Sequence, residues 1–139
     1  MDNIYFSSFN DGEEATFNLS LLKVILLKHG CKLGEPLGDG FIPVFFPWQG
    51  DEETIGSDEG GIALESLDAI EFAIGRPLYD APMRLLAFEL LEKLRLCAYG
   101  DGDRIYSVHS LEASAIPDEV LEDAVRGVSI VKSSNDLWT

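Results

Sequence analysis

The chain has 139 residues, carries 25 Asp and Glu against 10 Lys and Arg for a formal charge of −15, and is 46% hydrophobic. That length suits one domain with a real core of its own, and so apolar a composition excludes a disordered acidic tail. The bases are scattered singly, so direct nucleic-acid binding, which needs clustered Lys and Arg, is disfavoured.

The acid is not an appendage. Residues 1–60 hold 11 acids and 3 bases, and residues 61–139 hold 14 acids and 7 bases. Nor does the chain open like a secretory signal, because Met1-Asp2-Asn3 precedes any apolar run. The best apolar run, Leu19 to Leu27, is interrupted by Ser20 and Lys23, far short of the ~20 residues of a membrane helix. Two cysteines, Cys31 and Cys97, are too few for a disulfide scaffold. The expectation is a cytoplasmic, reducing setting without a membrane.

In chain order, Ile4 to Phe9 is aromatic-rich and predicts a strand, closed by a turn at Asn10-Asp11-Gly12. Asn18 to His29 predicts a helix with Asn18 as N-cap and Gly30 as its stop. Its apolar residues, Leu19, Leu21, Leu22, Val24, Ile25, Leu26 and Leu27, wrap most of the circumference, the pattern of a buried helix. Residues 33–40 predict a loop. Phe41 to Trp48 has strand composition, but Pro43 and Pro47 cannot donate ladder hydrogen bonds, so an edge strand or extended segment is expected.

Residues 62–74 fit two patterns. Leu64, Leu67, Ile70 and Ile74 make a helical stripe, whereas Ile70, Phe72 and Ile74 alternate as in a strand. The expectation is a short helix or turn, then a strand from Ile70 to Gly75. Ala81 to Arg95 predicts the clearest helix, with Met83, Leu86, Ala87, Leu90, Leu91 and Leu94 on one face, Asp80 as cap and Pro82 in the first turn. Leu96–Tyr99 and Arg104–His109, joined by Gly100-Asp101-Gly102-Asp103, predict a hairpin. Pro117 opens a short helix whose first-turn Asp118 and Glu119 suit the helix dipole. Val128 to Lys132 predicts a last strand, and Ser133 to Thr139 a tail. The irregular alternation favours a single α+β domain over residues 1–139, with amphipathic helices on a mainly antiparallel sheet.

The densest acidic cluster is Asp51, Glu52, Glu53, Asp58 and Glu59, directly after Trp48. Read as a calcium loop from Asp51, it offers Asp51, Glu53 and Gly56 at the required positions but Ile55 and Ile62 where ligands are needed. Asp101 and Asp103 sit in Asp-Gly pairs of the kind hairpin turns prefer. His29, Cys31, Cys97 and His109 supply zinc-type ligands at scattered positions without zinc-site spacing. No nucleophile elbow, phosphate loop or dinucleotide fingerprint is present in the sequence. The expectation is therefore no cofactor, no metal and no catalytic residue.

Trp48 beside an acidic loop has the composition of an interface, an aromatic anchor with a charged rim. A strongly acidic surface steers cationic partners. Small acidic single-domain proteins of this type resemble, in type only, bacterial immunity proteins and antitoxins. The expected function is a non-enzymatic acidic protein-binding module of that kind, which occludes a basic partner such as a nuclease toxin. Trp48, Asp51, Glu52, Glu53, Asp58 and Glu59 are its expected contact residues. Two alternatives stay open: a small carboxylate- or metal-dependent enzyme, and a structural or adaptor domain whose acidity serves solubility.

Overall fold

The strand expected at Ile4–Phe9 forms as β1 (Asn3–Asn10) and lies in the middle of the sheet. Side chains alternate across a strand, and β1 uses both faces. Ile4 and Phe6 enter the main core, while Tyr5 and Phe9 stack around Tyr99 on the other side. The computed structural model describes residues 3–38, 40–48, 60–75, 77, 79–100 and 104–138.

Among the described residues there are nine strands. After β1 come β2 (Glu13–Ala15), β3 (Lys32–Leu33), β4 (Phe41–Phe45), β5 (Gly60–Glu65), β6 (Asp68–Gly75), β7 (Cys97–Tyr99), β8 (Ile105–Ser107) and β9 (Val128–Ile130). Their order in the sheet is β3-β4-β5-β6-β1-β7-β8-β9, with β2 paired to the C-terminal half of β1. The pairings are antiparallel except β8 with β9. A parallel pair needs a crossover rather than a tight turn, and the connection from β8 to β9 contains the helix α3 (Asp118–Asp123). The chain is thus an α+β fold on a mainly antiparallel sheet.

Two longer helices cover one face, α1 (Leu19–Lys28) and α2 (Ala81–Lys93). Both caps form as the sequence predicts: the Asn18 side chain accepts from the Leu21 N–H at 2.8 Å, and Asp80 from the Met83 N–H at 3.2 Å. The stripe from Met83 to Leu94 is buried against Ile4, Phe6, Phe72 and Ile74. The opposite face carries a smaller cluster of Phe9, Cys97, Ile105, Ile116 and Ala124, with Val120 and Leu121 of α3 packed on it.

Four expectations need correction. Residues 60–65 form β5, not a helix or turn, and the strand that follows begins at Asp68 rather than Ile70. The helical stripe there was accidental: Leu67 lies in the two-residue hairpin turn, fully out in solvent. Gly60 and Gly61 allow the close pairing, since a Cβ on Gly60 would stand 2.6 Å from the Ala73 carbonyl oxygen and one on Gly61 2.6 Å from that of Ile42. The second correction concerns α1, which is not buried all round: Leu22, Ile25 and Leu26 are buried, whereas Leu21, Val24 and Leu27 are exposed. Third, β4 is one strand in from the edge. The edge is the two-residue β3, and Pro43 is tolerated because it accepts from the Gly34 N–H rather than donating. Finally, the C-terminal segment is not a loose tail. A 3-10 turn at Ser134–Asp136 brings Leu137 into the main core and Trp138 onto Tyr79 and Tyr106.

Candidate functional site

Strand register builds the site. In β1, Tyr5 pairs with Tyr99 of β7 on one side and Ala73 of β6 on the other. The two tyrosine rings lie 5.8 Å apart, and Phe9 packs on Tyr99 at 5.4 Å. A Cβ on Gly100 would stand 2.6 Å from the Tyr5 ring, so glycine lets the chain turn tightly past it. Beside the rings a cleft of about 290 Å³ opens, lined by Tyr5, Tyr99 and Arg104 and closed by Glu119, Val120 and Asp123 of α3.

At the inner end of Tyr99 the site turns polar. Its hydroxyl lies 3.0 Å from Ser7 Oγ, 3.4 Å from Glu14 Oε1 and 3.5 Å from Glu71 Oε2. Ser7 is wholly buried and also reaches Glu14 Oε1 at 3.4 Å. Two carboxyl groups from β2 and β6 thus meet at one phenol. Burial, then the neighbouring charge of Glu14, pushes the Glu71 carboxyl up to about 7. Burial also pushes the Tyr99 phenol well above its ordinary value, helped by the same two carboxylates and opposed by the Ser7 hydrogen bond. Two like charges in contact cannot both ionise cheaply, so the pair holds a proton towards neutral pH.

The residues singled out in the sequence go elsewhere. Trp48 is half-buried against the main core, and its ring stacks on Phe46 with centroids 5.1 Å apart. Its Nε1 is buried without a hydrogen-bond partner among the described residues. Asp51, Glu52, Glu53, Asp58 and Glu59 lie outside the described residues, as do Asp101 and Asp103.

The four zinc-type residues do not converge. His29 Nε2 meets Glu89 Oε1 at 2.8 Å beside the Lys28–Glu89 ion pair at 3.0 Å. Cys31 is in the main core and Cys97 in the smaller cluster, both free and buried. Burial pushes their thiols up to about 12 and about 11, which disfavours the reactive thiolate. The His109 backbone N–H is held by Ser107 Oγ at 3.2 Å. Among the described residues no group of three His, Cys, Asp or Glu side chains is arranged to hold a metal ion, and no helix is long and apolar enough to cross a membrane.

The tyrosine cleft was not identified from the sequence. Its one sequence signal is the Tyr5-Ser7-Phe9 alternation opposite Ile4 and Phe6. Glu71 fell in the ambiguous segment, and Glu119 has a sufficient local reason at a helix start. No family model, curated protein or solved structure gives a significant match to this chain.

Proposed function

We propose that the protein is an acidic protein-binding module of the immunity or antitoxin type, and that the tyrosine cleft helps it receive a basic partner. The observation that carries this reading is the tyrosine pair at a cleft where Glu119 and Asp123 outnumber Arg104, adjoined by Glu14 and Glu71. An aromatic centre with a charged rim is the composition of an interface hot spot. Tyrosine faces also attract guanidinium and ammonium groups. The acids of residues 51–59 add their charge to the same long-range field.

The enzymatic alternative draws on the Glu14–Glu71–Tyr99 contact, which has a carboxyl group suited to proton transfer near neutral pH. Against a glycosidase reading, the two carboxyl groups share one phenol contact, whereas that chemistry separates them by ~5 Å or more to admit the sugar.

The test is capture from the source cell at low salt, with mass spectrometry of what elutes as salt rises. The parent is compared with the Glu119→Gln, Asp123→Asn double variant and with Tyr99→Phe. The expected result is a basic protein that the parent retains at low salt, that salt releases, and that the double variant retains poorly. Equal retention by parent and double variant would remove the cleft from the interface. Capture of nothing salt-sensitive would remove the basic partner.

A further inference from the structure

A second cleft, of about 470 Å³, opens where the pairing of β1 with β7 stops. The two strands keep register as far as Ser7 opposite Cys97. Beyond that pair the chain turns back through Arg95 to the end of α2, and Ser8 and Phe9 of β1 line the gap. The entry to α1 and the segment after β8 close its other sides. Its volume lies within the range of small-molecule sites. Acids outnumber bases 25 to 10 in the chain, yet no Asp or Glu stands among the described residues that line this cleft. Lys93, Arg95 and His109 do.

Arg95 occupies a position that favours another residue. It follows Leu94, the C-cap of α2, and has a φ of 56°. Glycine is the usual residue at that left-handed position, because a side chain there is strained. Helix α1 ends in the usual way: His29 is its C-cap, and Gly30 follows with a φ of 85°. At the same place α2 keeps an arginine, and that arginine lines the cleft. His109 is fixed through its backbone, since Ser107 Oγ accepts from its N–H at 3.2 Å and donates to its carbonyl oxygen at 2.7 Å. Glu92 reaches this rim by long contacts. Its Oε1 lies 4.0 Å from Lys93 Nζ, and its carbonyl oxygen 3.5 Å from His109 Nε2.

We propose that this cleft binds a small molecule carrying a phosphate monoester on an apolar body, with Lys93, Arg95 and His109 as its anion-binding residues. A phosphate monoester brings close to two charges and three strong acceptor oxygens, which suits several donors better than a carboxylate does. The planar guanidinium of Arg95 matches phosphate geometry. Ser8, Thr16 and Ser110 add hydroxyl donors at the same cleft. Asn18 caps α1 through its Oδ1, so its amide nitrogen remains to donate. The body of the ligand meets Phe9, Phe17, Leu21, Leu94 and Leu111, which give the cleft an apolar wall. A molecule with fifteen excess negative charges repels anions in general. A phosphate that binds it therefore does so at local donors.

The experiment is calorimetric titration of the full chain with phenyl phosphate, inorganic phosphate, benzoate and phenol. The expected result is saturable binding of phenyl phosphate, weaker binding of inorganic phosphate and benzoate, and none of phenol. Arg95→Gly should weaken phenyl phosphate binding by about tenfold or more, the loss of a charged hydrogen-bond donor. The same variant should melt no lower than the parent, because glycine relieves the left-handed backbone. Should it fail to fold, Arg95→Gln removes the charge and reads the same loss. His109→Gln should also weaken binding, whereas Lys132→Gln, which removes a positive charge elsewhere, should leave it unchanged. No saturable binding of phenyl phosphate overturns the proposal, as does binding that survives both the Arg95 and the His109 substitutions. Benzoate or phenol bound as tightly as phenyl phosphate overturns the phosphate assignment. A phosphotyrosyl peptide bound more tightly than phenyl phosphate also overturns it and gives the cleft to a protein partner.

Discussion

Ionising Glu71 sets a second negative charge beside Glu14 in a partly buried place, so the folded protein prefers that carboxyl protonated. Its folded value, about 7, lies above the ordinary carboxylate range. The stabilisation is complete below the unfolded value and is lost as pH rises through the folded one. Glu71→Gln should therefore flatten this part of the pH profile. It should match the parent near pH ~4 and exceed it near pH ~8 by on the order of 1 kcal/mol, with solvent screening discounted. Thermal unfolding across that range checks it, and a variant less stable than the parent at alkaline pH would show that the carboxylate is a stabilising acceptor instead. Glu89 works in the opposite sense. The His29 hydrogen bond, and then Lys28, hold its carboxyl below the ordinary range. Its contribution is present above the unfolded value and fades as pH falls through the folded one. Glu89→Gln should lower the melting temperature at neutral pH and converge on the parent in acid. A constant deficit at all pH values would mean that the loss is one of packing.

On the helices, burial rather than residue type decides what a substitution costs. Leu26 of α1 and Leu90 of α2 are wholly buried, and Val24 of α1 is largely exposed. Leu26→Ala and Leu90→Ala should each cost ~2–5 kcal/mol, the range for emptying a leucine site in a core. Val24→Ser should stay within ~0.5 kcal/mol in dilute solution. Chemical denaturation of the three variants tests the assignment of faces, and a large loss at Val24 would overturn it. The contrast also explains how much of the fold the sequence disclosed. Helix α2 was legible because six apolar residues fell on one stripe and its cap and proline stood in place. In α1 seven apolar residues left no polar side to mark the solvent, so only its ends could be read from the sequence. The β5–β6 hairpin was hidden because Leu64, Leu67, Ile70 and Ile74 imitate helical spacing, although Leu67 sits in the turn. The cleft was less legible still. Tyr5, Glu14, Glu71, Tyr99 and Glu119 come from five separate elements, and nothing local in the chain says that sheet order will join them.

Over the whole molecule, an excess of fifteen negative charges opposes compaction. The Lys28–Glu89 and Lys93–Glu92 ion pairs and the His29–Glu89 contact lie on the helical layer. Exposed acids such as Glu13, Glu65, Asp118, Glu119 and Glu122 lie elsewhere. Repulsion among exposed charges is long-ranged at low salt. It is screened as the Debye length falls from ~30 Å at ~0.01 M to ~8 Å at ~0.15 M. The folded protein should therefore gain stability as salt is added, because its charges are closer together than those of the unfolded chain. Sodium and potassium chloride should act alike, since screening depends on ionic strength and not on the identity of a monovalent cation. Calcium chloride at matched ionic strength divides two explanations. If screening is the whole effect, it should raise the melting temperature by only slightly more than sodium chloride does. A divalent ion held at a defined site would stabilise the native state by mass action, with a saturating dependence on free calcium. Melting curves in the three salts make the measurement, and a saturating calcium response that EDTA reverses would replace diffuse screening with a specific cation site.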